Sequence, residues 1–167
     1  MESLTRTLRF AFISGSSRPL FVFVADGNEL IAMYDSGAVT PVWVKSEEKL
    51  TSIFPLAEKQ TRSCLLSGFG MGAVVCNVYK IPELSLENEG ERYVIRNLPI
   101  VLNENPSIGC DMVLSATMFS HADVMIKQRV EKSITIYFDK ETYFSAPLWS
   151  NGHMSIATWT QFDGANS

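Results

Sequence analysis

The chain has 167 residues, 46% apolar and 19% charged, with a net charge of −4 and no basic cluster. That is the composition of a single globular domain with a sizeable core. It argues against a disordered chain, a nucleic-acid binder and a protein held on an anionic membrane. No apolar run approaches the ~18 residues of a membrane helix, and Phe10-Ala11-Phe12-Ile13 is too short for the core of a signal peptide.

Leu8 to Ile13 reads as a first strand and Ser14 to Pro19 as a loop. Leu20 to Ala25 is a β-prone run, Asp26-Gly27-Asn28 a hairpin turn, and Leu30 to Tyr34 the return strand. The return strand offers no polar face, so it should be buried, and it ends in Asp35-Ser36-Gly37-Ala38. A carboxylate at the end of such a strand should be desolvated, which raises its pKa. Ser36 adds a hydroxyl that can donate and accept, and Gly37 allows a tight turn and a close backbone approach. Asp-Ser-Gly is also an ordinary turn, and these residues alone leave both readings open.

Val39 to Val44 reads as extended, and Ser46 as the N-cap of a short helix closed by Pro55. Ala57 to Arg62 looks like a polar connector. Gly68-Phe69-Gly70-Met71-Gly72, between two apolar runs, suggests a hairpin with a mobile tip. It is neither a dinucleotide fingerprint nor a P-loop, since no helix follows and the lysine is missing. Ile81 to Leu86 reads as an edge strand, Asn88-Glu89-Gly90 as a turn, and Tyr93 to Leu102 as a strand with a bulge at Pro99. Ile108-Gly109 leads into Asp111 to Phe119, whose spacing predicts a short helix with Asp111 as N-cap. Asp123 to Lys127 and Ser133 to Phe138 form a hairpin, and Asp139 to Ser167 adds a strand or two. Many short strands with frequent turns predict an all-β barrel or sandwich.

Cys64, Cys76 and Cys110 show no CxxC and no ligand-like spacing to His121 or His153, so neither a metal nor a cofactor is expected. A reducing cytoplasm is the simplest home for three such thiols. Cys76 and Cys110 read as core residues, both histidines as surface or loop, and Trp43, Trp149 and Trp159 as packing residues.

The order of an apolar strand ending in Asp35-Ser36-Gly37-Ala38, a glycine-rich tip at Gly68 to Gly72, and the apolar-Gly pair Ile108-Gly109 resembles the retropepsin family of aspartic proteases. The resemblance spans roughly residues 19–138. It implies a single-lobe, closed acid-protease barrel with one or two short helices, pairing as a homodimer. It makes Asp35 the catalytic carboxylate and Ser36 the hydroxyl residue that bonds across the dimer axis. Gly37 and Ala38 would line the cleft, and Gly68, Phe69, Gly70, Met71 and Gly72 would form a flap over a peptide or protein substrate. Ile108 and Gly109 would thread behind the catalytic loop.

The chemistry needs two carboxylates that share one proton. The chain holds one Asp-Ser-Gly, and Phe162-Asp163-Gly164 lacks an apolar lead-in and reads as a terminus. The expectation is therefore two copies with Asp35 of each on the two-fold axis. Residues 1–18 would form a leading strand and loop, 19–138 the protease domain, and 139–167 an extension. The function implied is an aspartic endopeptidase without nucleic-acid or membrane partners. The alternatives are a catalytically silent peptide-binding or assembly module, and an unrelated β-barrel whose Asp-Ser-Gly is only a turn.

Overall fold

The computed structural model describes residues 6–68, 71–139, 142–143 and 153–155. The chain is all-β. Its strands are β1 (Arg6–Ala11), β2 (Leu20–Ala25), β3 (Asn28–Asp35), β4 (Val42–Trp43), β5 (Glu58–Gly68), β6 (Met71–Asn88), β7 (Glu91–Leu102), β8 (Met112–Ser115), β9 (Asp123–Lys127), β10 (Ser133–Phe138), β11 (Thr142–Tyr143) and β12 (His153–Ser155). One α-helix, α1 (Glu47–Ile53), and two single 3₁₀ turns, Pro106–Ile108 and Ala116–Phe119, complete the described elements. Among the described residues no helix is long and apolar enough to cross a membrane.

The larger sheet runs β11-β7-β4-β8-β3-β2-β6-β5-β12, and β6 also pairs with β7, so the hydrogen-bonded order returns on itself. A second sheet, β1-β10-β9, contains the leading strand, whose Leu8 and Phe10 join the main core. Two hairpins turn where left-handed residues permit it. Asp26 and Gly27 (φ 49° and 80°) join β2 to β3, and Glu89 and Gly90 (φ 50° and 82°) join β6 to β7. Both are two-residue turns of the kind that matches strand twist.

Strand alternation divides the core in two. In β3, Leu30 and Ala32 face a large cluster with Phe21, Phe23, Trp43 and Tyr93, while Met33 faces a second cluster with Ala38, Val42, Cys64 and Val78. β8 does the same, with Met112 and Leu114 on one side and Val113 on the other. These strands are covered on both faces, which is why their sequences show no polar alternation. Helix α1 begins as predicted, with the Ser46 hydroxyl accepting the Lys49 N–H at 3.2 Å. It docks through buried Leu50, and the Trp43 indole N–H donates to the Ser46 carbonyl at 2.8 Å.

Several sequence expectations change. Asp111 to Phe119 is not a helix: it is strand β8 followed by a 3₁₀ turn, and Asp111 caps nothing helical. Residues 58–62 are strand rather than connector, because hydrogen bonding to β6, not burial, makes the arm of a long hairpin. Ile81 to Leu86 is not a separate edge strand but the continuation of β6, which runs through Pro82 in register with β7. The left-handed residue of β7 is Asn97 (φ 56°), not Pro99, which stays paired with Lys80. Between residues 39 and 44 only Val42 and Trp43 form a strand. Two short strands do occur after residue 139, β11 beside β7 and β12 beside β5. Trp149, Trp159 and Phe162-Asp163-Gly164 lie outside the described residues.

Candidate active site

Asp35 is the last residue of β3 and is 4% exposed. Alternation along β3 puts it on the Met33 side of the sheet, facing the second cluster. The Gly37 N–H donates to Asp35 Oδ1 at 2.9 Å, and the Ala38 N–H donates to the Asp35 carbonyl at 3.1 Å. The Asp-Ser-Gly-Ala segment is thus a turn closed on its own aspartate. Burial pushes the Asp35 carboxyl above its ordinary range, and the Gly37 N–H offsets part of that rise. Ser36 is exposed, Gly37 half-buried and Ala38 buried.

Tyr34 faces the other way. Its ring meets Phe119 edge-on at 5.7 Å, and burial, then the Asp35 charge, raises its phenol pKa. It packs against the main core, as a core residue does.

β8 runs parallel to β3 and sets Ser115 opposite Asp35. From there the chain turns back over the loop that follows Ala38. The Ser115 and Thr117 hydroxyls are 2.8 Å apart, and Thr117 donates to the Val39 carbonyl at 2.6 Å. Ser115 and Thr117 are the supports that sequence reasoning missed. Hydroxyls in an apolar run carry no signal of their own, and reading the segment as a helix put them on the wrong element. Thr117→Val should cost about 1 kcal/mol by leaving the Val39 carbonyl without this donor. Urea unfolding would read that loss.

Ile108 and Gly109 lie elsewhere along β3. Ile108 ends the first 3₁₀ turn and Gly109 takes φ 80°. Two residues on, the Asp111 N–H donates to the Ile31 carbonyl at 2.8 Å, so the pair sits toward the start of β3 rather than at Asp35. Ile108 nevertheless belongs to the same buried cluster as Ala38.

The glycine-rich segment is the tip of the β5–β6 hairpin, with Gly68 paired to Met71. Phe69 and Gly70 lie outside the described residues, and Gly72 is exposed. The base of the hairpin is fixed by Cys64, Leu66, Cys76 and Val78, which share the cluster of Met33 and Ala38. The hairpin is therefore rooted on the face to which Asp35 belongs. Cys64 and Cys76 stand opposite each other across its strands. Burial pushes the Cys64 and Cys110 thiols to about 12 and raises Cys76, which leaves all three as packing residues at neutral pH. His121 is exposed in a turn. His153 stands in β12, and its side chain lies outside what is described.

Comparison with protein-family models gives no match, and comparison with curated proteins gives none either.

Proposed function

We propose that this chain is an aspartic endopeptidase of the retropepsin type, working as a homodimer in which Asp35 of each copy meets on a two-fold axis. The observation that carries this reading is the state of Asp35. It is a nearly buried carboxylate, at the end of a strand with no polar face, held by a backbone N–H and raised in pKa. An ordinary Asp-Ser-Gly surface turn has no cause to bury its acid, because taking a charge out of water is costly. The rooting of a glycine-tipped hairpin on the same side of the sheet supports the same reading. So does the all-β frame, whose pairing order suits a single-lobe acid-protease barrel.

In this mechanism two Asp35 carboxyls share one proton, because like charges a few ångströms apart resist joint ionisation. The ionised member takes a proton from a bound water as the water attacks the amide carbonyl. The protonated member donates to the carbonyl oxygen, and the pair titrates as a unit. Ser36 is exposed beside Asp35, and in this reading its hydroxyl would bond across the axis. An extended peptide would lie beneath the β5–β6 hairpin.

The test is cleavage of a diverse peptide mixture between about pH 4 and 7, read by mass spectrometry, with Asp35→Asn alongside. Internal cuts that vanish in the variant establish the activity. A dimer that binds extended peptides without cutting them would instead be the silent binding module.

A further inference from the structure

We propose that two copies of this chain join along the outer edge of β9, antiparallel, with Met125 of each on the two-fold axis. This gives a surface to the homodimer of the proposed function and rests on that reading.

β9 is the last strand of the β1-β10-β9 sheet. Its inner edge pairs with β10 from Asp123, opposite Tyr137, to Lys127, opposite Ser133. Among the described residues no strand pairs with its other edge. Edge strands are commonly guarded by charge, proline or a bulge. Here the centre of the edge is Val124-Met125-Ile126, with Met125 44% and Ile126 38% exposed. An apolar edge that no described strand covers invites another strand.

The sequence of β9 identifies the occupant. Asp-Val-Met-Ile-Lys is complementary to its own reverse. Paired antiparallel about Met125, Asp123 of one copy meets Lys127 of the other, twice. Val124 meets Ile126, also twice, and Met125 meets Met125. Residues that face each other across antiparallel strands lie on the same side of the sheet. One side therefore carries two ion pairs flanking the methionines, and the other carries the branched aliphatics. Any other register confined to residues 123–127 loses both ion pairs. Lys127 bonds Glu131 within its own hairpin, but both side chains are about half exposed, so Lys127 can also meet a partner's carboxylate.

β9 also follows closely on the site in the chain. Ser115, the register partner of Asp35, is separated from β9 by residues 116–122, a 3₁₀ turn and a tight connection in which the Ala122 N–H donates to the Phe119 carbonyl at 3.1 Å.

Sedimentation equilibrium on the full chain tests the proposal through charge exchange. The wild type is expected to dimerise. Asp123→Lys and Lys127→Asp each set two like-charged pairs across the axis and should weaken the dimer about ten-fold or more. The double variant restores opposite charges and should recover most of the affinity. Met125→Cys should give a disulfide-linked dimer under copper-phenanthroline, whereas the wild type, whose three described thiols are buried, should not. A monomeric wild type would overturn the proposal. So would a dimer indifferent to both single changes, or a double variant no better than the singles. Peptide cleavage separates this from the enzymatic reading. An indifferent dimer that still cuts in an Asp35-dependent way removes the β9 interface and leaves the protease. A dimer that responds to charge exchange but cuts nothing supports the interface and removes the protease.

Discussion

Asp35→Asn is expected to lower peptide cleavage by ~10³-fold or more while leaving the fold at least as stable as the wild type at neutral pH. The activity loss follows from the proposed dyad, in which an amide could neither take a proton from water nor share one with its twin. The stability gain follows from linkage. The folded carboxyl is raised above its ordinary 3.8 by burial, so the folded state binds its proton more tightly than the unfolded state does. The contribution of Asp35 to stability is therefore most favourable below about pH 3.8 and falls as pH rises through the window up to the folded value. Above that window the loss is complete and constant. Asn cannot ionise and escapes it, while its side-chain oxygen can still accept the Gly37 N–H. Thermal unfolding at pH 7 should show the variant level with or above the wild type, with the gap closing toward pH 3.5. A variant that is less stable at pH 7 would mean that the ionised carboxylate supports the fold, against the assignment of Asp35 as a desolvated acid. In a dimer the second Asp35 would raise the shared pKa further, so the gap should widen under conditions that favour pairing.

Much of what surrounds Asp35 is legible in the sequence because each signal is local. Asp26-Gly27 and Asn88-Glu89-Gly90 mark turns through residues that accept left-handed backbone, and the structure places turns at both. Ser46 with two acids after it marks a helix start, and its hydroxyl does cap. The buried end of β3 follows from five apolar residues before an acid. What the sequence hides are features set by distant partners. Met112-Val113-Leu114 is apolar at every position because β8 is covered on both faces, and a short run of that kind reads equally well as a helix. Glu58 to Arg62 reads as loop because the arm of the hairpin gains its order from β6 and not from burial. Thr117 supports the Asp35 loop from 78 residues away, through a contact no sequence window contains.

Replacing Asp111, whose partners are just as distant in sequence, should carry a larger stability cost than replacing Asp35 or Thr117. Asp111 is 5% exposed. One carboxylate oxygen accepts the Ile31 N–H at 2.8 Å, and the other takes the Lys49 ammonium at 2.7 Å. Its backbone N–H donates to Ile31, and its carbonyl accepts the Val44 N–H at 3.0 Å. The side chain thus completes the join between β3, β8 and the segment after β4, where the β3–β8 pairing begins. Asp111→Ala leaves the Ile31 N–H without its acceptor and Lys49 without its anion. The first loss is the larger, because Lys49 is 45% exposed and water replaces much of what its pairing supplies. A cost of about 3 kcal/mol follows, roughly a 10 °C fall in Tm for a chain of this size. Asp111→Asn can keep an oxygen on the Ile31 N–H and should cost only about 1 kcal/mol, as should Lys49→Gln. If Asn proves as damaging as Ala, charge rather than the hydrogen bond to Ile31 holds the join. The consequence reaches the site: the β3–β8 pairing that Asp111 anchors runs from Ala32 opposite Met112 to Asp35 opposite Ser115. Loosening its start should therefore lower cleavage by more than the unfolded fraction alone accounts for. Comparing activity with the folded fraction of Asp111→Ala at one temperature would show whether that register carries through to Asp35.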